Sequence, residues 1–229
     1  METPVTDMSD TDARIERLPL LDAILSRLRD MIIEGQLPPG SRLNEGQIGQ
    51  QLGVSRTPLR EAIKYLASEG LVELVPARGA VVKQFGAREV RDMLEVIRIL
   101  EQQAGIIACA QATDAGIAGV RALHDRMLDC YARRDRMAYY KLNQAIHTAI
   151  VALADNGALS EVHARLQTRL KRVRFIGHEG AEKWASAVAE HERMIAALEA
   201  RDADGLSDIL GRHLTLAWER VRDDLPAQT

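Results

Sequence analysis

Three histidines, a handful of arginines and one asparagine carry most of the chemistry that this chain of 229 residues offers. His147, His191 and His213 fall in three separate stretches of helical periodicity. Asn143 lies one helical turn before His147, so both side chains leave the same face. His191 is followed by the apolar period Ile195 and Leu198, and His213 by Leu214 and Ala217. Helices crossing in a bundle can aim such residues at one interior point, where neutral imidazoles are good ligands for zinc or a similar divalent ion. Any one of these histidines alone reads more simply as a structural residue bonding a neighbour. Arg98, set amid Val96, Ile97, Ile99 and Leu100, offers a planar guanidinium that pairs bidentately with carboxylates. Its plain alternative is a snorkelling arginine or an ion-pair partner of Glu95 or Glu101.

A second basic group lies in SRTPLREAIKYLASEGLVELVPARGAVV, from Ser55 to Val82. Ser55 or Thr57 suits an N-cap, and Pro58 suits a first helical turn, where its missing N–H costs nothing. Leu59, Ile63 and Leu66 recur at helical spacing and face a core. Arg56, Thr57, Arg60 and Lys64 point outward from the start and the other face. The helix stops near Gly70, and two β-rich pieces, LVELV and GAVV, follow around a turn at Pro76-Ala77-Arg78-Gly79. A guanidinium can bond a guanine edge bidentately, at about 1–3 kcal/mol of discrimination per good pair. The set therefore reads as a grip on DNA. Glu61 and Glu69 read as ion-pair or capping residues, since phosphate repels a carboxylate.

The elements that must position these groups are legible from periodicity. Leu21, Ile24, Leu25, Leu28, Met31 and Ile32 form a helical stripe closed by Gly35 and Pro38-Pro39-Gly40. Asn44 caps a short helix, with Gln47 placed as in a capping box; that helix buries Ile48 and Leu52 and ends at Gly53. Two helices joined by so short a glycine turn form a helix-turn-helix, whose second helix enters the major groove. Three divisions are expected: an acidic flexible tail over residues 1–17, a winged helix-turn-helix over 18–85, and a helical domain over 86–226. The last reads as about six helices in an antiparallel bundle. Val90, Leu94, Ile97, Ile99 and Leu100 open the first, and Asp114 is placed to cap the second. The fourth carries Leu159, Val162, Leu166, Leu170, Val173 and Ile176. The fold class is mainly α, with a two-stranded wing.

The run LPPGSRLNEGQIGQQLGVSRTPLREAIKYLASEGLVELVPARGAVV resembles the winged helix-turn-helix of GntR-type transcription regulators. The resemblance implies that Arg56, Thr57 and Arg60 meet base edges or phosphates and that Arg78 and Gly79 approach the minor groove. Gly46 stands where some members of that family place a further DNA-contacting arginine. The second half resembles the FCD effector domain of the FadR branch, on RILEQQAGIIACA, NQAIHTAIVALADN, EHERMIAAL and His213. It implies a divalent metal (zinc, nickel or manganese) held by Asn143, His147, His191 and His213, with Asn143 in place of the usual aspartate. It also implies a small organic or sugar acid bound beside the metal, with Arg98 as its clamp. The function so implied is a homodimeric, ligand-responsive repressor on a palindromic operator.

Composition agrees with this reading. A net charge of −3 does not suit a protein that coats nucleic acid indiscriminately, so basic residues must be focused on one surface. There is no apolar run long enough to span a membrane, and the N-terminus carries Glu2, Asp7, Asp10 and Asp12; a cytoplasmic protein is expected. Cys109 and Cys130 form no CxxC pair. His124, His163 and His178 match no motif and read as structural or exposed, while Lys171, Arg172 and Arg174 read as a solvated charge run. Two rivals are a metal-dependent hydrolase and a metal-free dimerisation bundle. An enzyme is not expected: the nearest candidate base, Glu190, adjoins His191, and adjacent helical residues point about 100° apart.

Overall fold

The computed structural model describes residues 18–177 and 181–226; the acidic segment 1–17 and His178 lie outside the described residues. The N-terminal part comprises α1 (Leu18–Glu34), α2 (Glu45–Leu52), α3 (Arg56–Ser68), β1 (Val72–Val75) and β2 (Gly79–Val82). Leu28, Leu59, Leu66 and Val82 are fully buried in its core. Asn44 caps α2 by accepting from the Gly46 and Gln47 amides. Ser55 occupies the N-cap of α3 but makes no side-chain capping bond. The two strands pair antiparallel, Val72 with Val82 and Val75 with Gly79. The backbone of residues 40–43 lies alongside β2, with Leu43 N–H donating to Ala80 O and Val82 N–H to Ser41 O. This stitches the wing to the turn after α1.

Six helices follow: α4 (Ala87–Gln111), α5 (Asp114–Ala132), α6 (Arg136–Ala152), α7 (Gly157–Ile176), α8 (Ala181–Glu199) and α9 (Ala203–Val221), with a 3-10 turn at Arg222–Asp224. Short polar caps set their starts: Asp135, Asn156 and Asp202 each accept a first-turn amide. Thr113, not Asp114, caps α5; Asp114 is its first residue and pairs with Arg201. The long helix α4 packs along α9, and its stripe Val90, Leu94, Ile97, Ala104 and Ala108 is buried. Ile99 and Val162, expected on buried stripes, are exposed, because each lies just off the face its helix turns inward. None of the described helices is long and apolar enough to cross a membrane.

The helix-turn-helix depends on one backbone conformation. Gly53 takes φ +66°, a left-handed value, and a Cβ built there meets nothing within 4 Å. Only the backbone penalty then opposes a side chain, at about 1–2 kcal/mol for an L residue. Gly53→Ala should lower unfolding stability by that amount while Gly53→Asn loses less, as read by urea denaturation. Equal losses from the two would show that the position is held by packing instead.

Candidate functional site

Tight packing of α4, α6, α8 and α9 carries three imidazoles into the domain interior. His147 from α6, His191 from α8 and His213 from α9 are all buried, and their ligand nitrogens lie within 4.8 Å of one another. His147 stacks on His213 with ring centroids 5.0 Å apart, and His191 stands nearly perpendicular to both. The other nitrogen of each ring is committed. His147 Nδ1 donates to Glu101 Oε2 at 2.8 Å, His213 Nδ1 to Glu190 Oε2 at 2.6 Å, and His191 Nδ1 to the Ala187 carbonyl at 2.8 Å. Each acceptor has only lone pairs to give, so Nδ1 carries the proton and Nε2 its lone pair. The Nε2 atoms of His147 and His213 are buried without a hydrogen-bond partner among the described residues.

Such a donor set fits a divalent metal. In a tetrahedral site, nitrogens at about 2.1 Å from one ion lie about 3.4 Å apart, so the widest pair of rings must close by at most about 1.4 Å. Carboxylate and carbonyl partners on the far nitrogens fix tautomer and orientation, as around metal-bound histidines generally. Asn143 is buried beside them. As placed, its Nδ2 faces His191 Nε2 at 3.2 Å while its Oδ1 accepts from Gln144 at 3.0 Å. All four residues expected from the sequence therefore come together, with the amide nitrogen rather than the oxygen turned inward.

Electrostatics favour the neutral form of His147 and His213. Burial pushes His147 down to about 4, against the opposing pull of Glu101. Burial likewise lowers His213, opposed by Glu190. Burial alone would raise the carboxyl of Glu101, but His147 and His163 overcome it and hold it well below the usual range. Glu190 is similarly held at about 2: burial opposes, and His213 and Arg220 prevail.

Several of these partners were not singled out from the sequence. Glu101 is the clearest: it occupies a position on the buried α4 stripe between Ile97 and Ala104, where a carboxylate is itself a signal. Its second oxygen accepts from His163 Nε2 at 2.9 Å, so His163 is a buried member of the network. Gln167 then accepts from Arg174 Nη1 at 2.8 Å. The run Lys171, Arg172 and Arg174 is not a solvated face. Arg174 is only 3% exposed, and Arg172 Nη1 donates to the Ile32 and Ile33 carbonyls at the end of α1. The helical period turns these residues to two different sides of α7. Glu190 is turned to the far nitrogen of His213 and is also bonded by Ser186 and Arg220.

Arg98 is placed elsewhere. It is half-buried, its Nη1 donates to Gln102 Oε1 at 2.8 Å, and it borders two surface grooves between α4 and α9. The arginine whose charge reaches His147 and His213 is Arg174, behind the larger effects of Glu101 on the first and Glu190 on the second.

On the winged part, Arg56, Thr57, Arg60 and Lys64 are exposed along α3, and Arg78 and Gly79 are exposed at the wing. Arg60 pairs with Glu45 at 2.7 Å and Lys64 with Glu61 at 2.9 Å. Glu69 pairs with Arg29, so Glu61 and Glu69 are ion-pair residues as expected. Exposed Arg42 pairs through its backbone with Val81, and its guanidinium lies beside Gly79; it is a further cation at the wing.

The family description "Bacterial regulatory proteins, gntR family" matches residues 20–82, and the FCD domain matches residues 92–216. The chain is 32% identical over 165 residues to the Nta operon transcriptional regulator of Aminobacter aminovorans, covering 71% of this chain and 74% of that protein. It is 25% identical over 205 residues to the HTH-type transcriptional repressor RspR of Escherichia coli (strain K12), covering 89% of this chain and 90% of the relative. The solved structure of E. coli McbR/YncC shares the fold, with a TM-score of 0.73 over 86% of this chain and 93% of that one at 24% identity. The matched families and relatives are transcription regulators, and the chain belongs to the gntR family of bacterial regulatory proteins as a DNA-binding transcription regulator with an FCD domain.

Proposed function

We propose that this regulator represses from a palindromic operator as a homodimer and is released by a small organic or sugar acid bound beside a divalent metal in the FCD domain. One observation carries the reading: three buried imidazoles converge, with His147 and His213 held from behind by carboxylates. Nitrogen donors favour zinc or nickel over manganese. Asn143 serves as a fourth, neutral ligand once its amide turns its oxygen inward. The ion would supply a positive point to which an acid oxygen is drawn. Glu101 and Glu190 orient the rings, and Arg174 places a cation at the cluster. Arg98, on the α4–α9 grooves, is the alternative carboxylate clamp.

On the DNA side, Arg56, Thr57, Arg60 and Lys64 serve the major groove, and Arg78 with Gly79 serves the minor groove. Release requires that the ligand favour one placement of the heads over another. Helix α7 supports such coupling: His163, Gln167 and Arg174 belong to the buried network, while Arg172 holds the end of α1.

Gel shifts on DNA upstream of the protein's own coding region, at defined salt, test the core reading. Arg60→Ala should weaken specific binding by about 1–3 kcal/mol, and Arg78→Ala should reduce the salt slope by about one. Binding that ignores both substitutions sinks the assignment of this face.

Elemental analysis of protein purified without a metal-affinity tag should find one ion per chain. His191→Ala should lose it, and Glu101→Gln should weaken it about 10- to 100-fold. Failure to retain zinc, nickel or manganese on addition leaves the metal-free dimerisation bundle as the reading. Calorimetric titration of organic acids into Arg98→Ala and Arg174→Lys then identifies the clamp by which variant loses affinity.

Arg172→Ala should leave zinc affinity unchanged yet shrink the effect of zinc or acid on operator binding. An unaltered response would remove α7 from the coupling path.

A further inference from the structure

A cavity of about 220 Å³ lies where the winged head, the linker of residues 83–86 between β2 and α4, and α7 meet, away from the histidine cluster. Its walls are apolar: Leu71, Phe85, Val173, Ile176 and Leu225. Its rim is cationic, with Lys83, Arg169 and Arg172 against a single carboxylate, Asp224. Two of the three cations are engaged, Lys83 with Glu73 at 2.6 Å and Arg172 with the α1 carbonyls. Arg169 is exposed, makes no ion pair among the described residues, and folds its guanidinium over Gly70.

We propose that this cavity is a second ligand site, for a monocarboxylate with an apolar body about the size of one benzene ring. The size follows from the volume: an apolar cavity of roughly 150 Å³ admits benzene, so 220 Å³ admits a ring and a short arm. The charge follows from the rim, where Arg169 can take one carboxylate as a paired, partly shielded ion. An apolar ring against Phe85 and Val173 with its acid at Arg169 is the arrangement small-molecule sites generally use: mostly apolar walls and few polar anchors. The ligand would touch the head through Leu71, the linker through Phe85 and the helical domain through α7. It therefore binds one relative placement of head and bundle more tightly than others and biases DNA binding without entering the FCD core.

Phenylacetate is the probe, titrated into the full chain by calorimetry, with phenylacetamide as its neutral counterpart. Phenylacetate should bind and phenylacetamide should bind several-fold more weakly. Arg169→Gln should raise the phenylacetate Kd about fivefold, the order expected when a partly exposed ion pair is removed. Ile176→Trp, which fills the cavity, should abolish binding. Arg169→Gln replaces an exposed side chain and keeps the test valid should Ile176→Trp fail to fold. Binding should persist in EDTA and in His213→Ala. No heat of binding up to about 10 mM phenylacetate, equal Kd values for acid and amide, or an unchanged Kd in Arg169→Gln each overturn the site. Loss of binding on chelation would move the ligand to the histidine cluster and likewise overturn it.

Discussion

The buried carboxylate of Glu101 is the constraint on which the sensing half depends. Burying an isolated carboxylate costs several kcal/mol, and that cost is offset only when charge and hydrogen bonds are supplied around it. Here His147 and His163 each donate one N–H to it, and Arg174 adds positive charge nearby. The reciprocal effect matters more for function. An ionised acceptor forces Nδ1 of His147 to hold its proton, which leaves Nε2 as a lone pair facing the other imidazoles. Glu190 does the same for His213, and the Ala187 carbonyl for His191. Three donors from three helices thus agree on one point because their far sides are bound.

The same carboxylate ties the site to α7 through His163. That helix divides its residues between two faces. His163, Gln167, Leu170 and Arg174, spaced four, three and four apart, are buried on the face toward α4. Arg169 and Arg172 lie on the side toward the winged head, where Arg172 bonds α1 and Phe175 packs with Ile33 and Tyr140. Asp30 of α1 also pairs with Lys141 of α6 at 2.7 Å. A small rotation of α7 that improves contacts on one face must therefore disturb the other. Packed helices shift between discrete arrangements rather than deforming smoothly, which suits such an element to carry a switch.

Much of the fold was readable because its signals are local: the cap at Asn44, glycine turns at Gly53 and Gly70, and apolar stripes that become buried faces. The histidine cluster was readable for a different reason. Imidazoles on apolar faces of neighbouring helices have few places to point, and the resemblance to FCD domains named the same residues. Glu101, His163 and Arg174 were missed because their roles arise from helix–helix contact, not from spacing along one helix. A charged residue on an apolar stripe was the available signal in Glu101. Between Lys171 and Arg174 the string of cations looks uniform, yet residues two apart on a helix leave about 200° apart. Their fates differ accordingly: one lies in the interior and another on α1.

What an asparagine at 143 means, where the resemblance implies an aspartate, can be understood from the buried charges as a set. Glu101 and Glu190 carry two negative charges, and Arg174 and the nearly buried Arg220 carry two positive ones. The interior is balanced with neutral imidazoles and no further ion. A divalent cation bound to three neutral histidines and a neutral amide would leave two uncompensated positive charges in a low-dielectric region, where charge is costly. An aspartate in place of Asn143 would remove one of them within the protein itself. With asparagine, more of that compensation must come from what binds beside the ion, so an anionic ligand gains a stronger pull and the metal a greater dependence on it. Under the proposed function, metal and acid would act in this chain as one composite ligand, each raising the affinity of the other by the same factor.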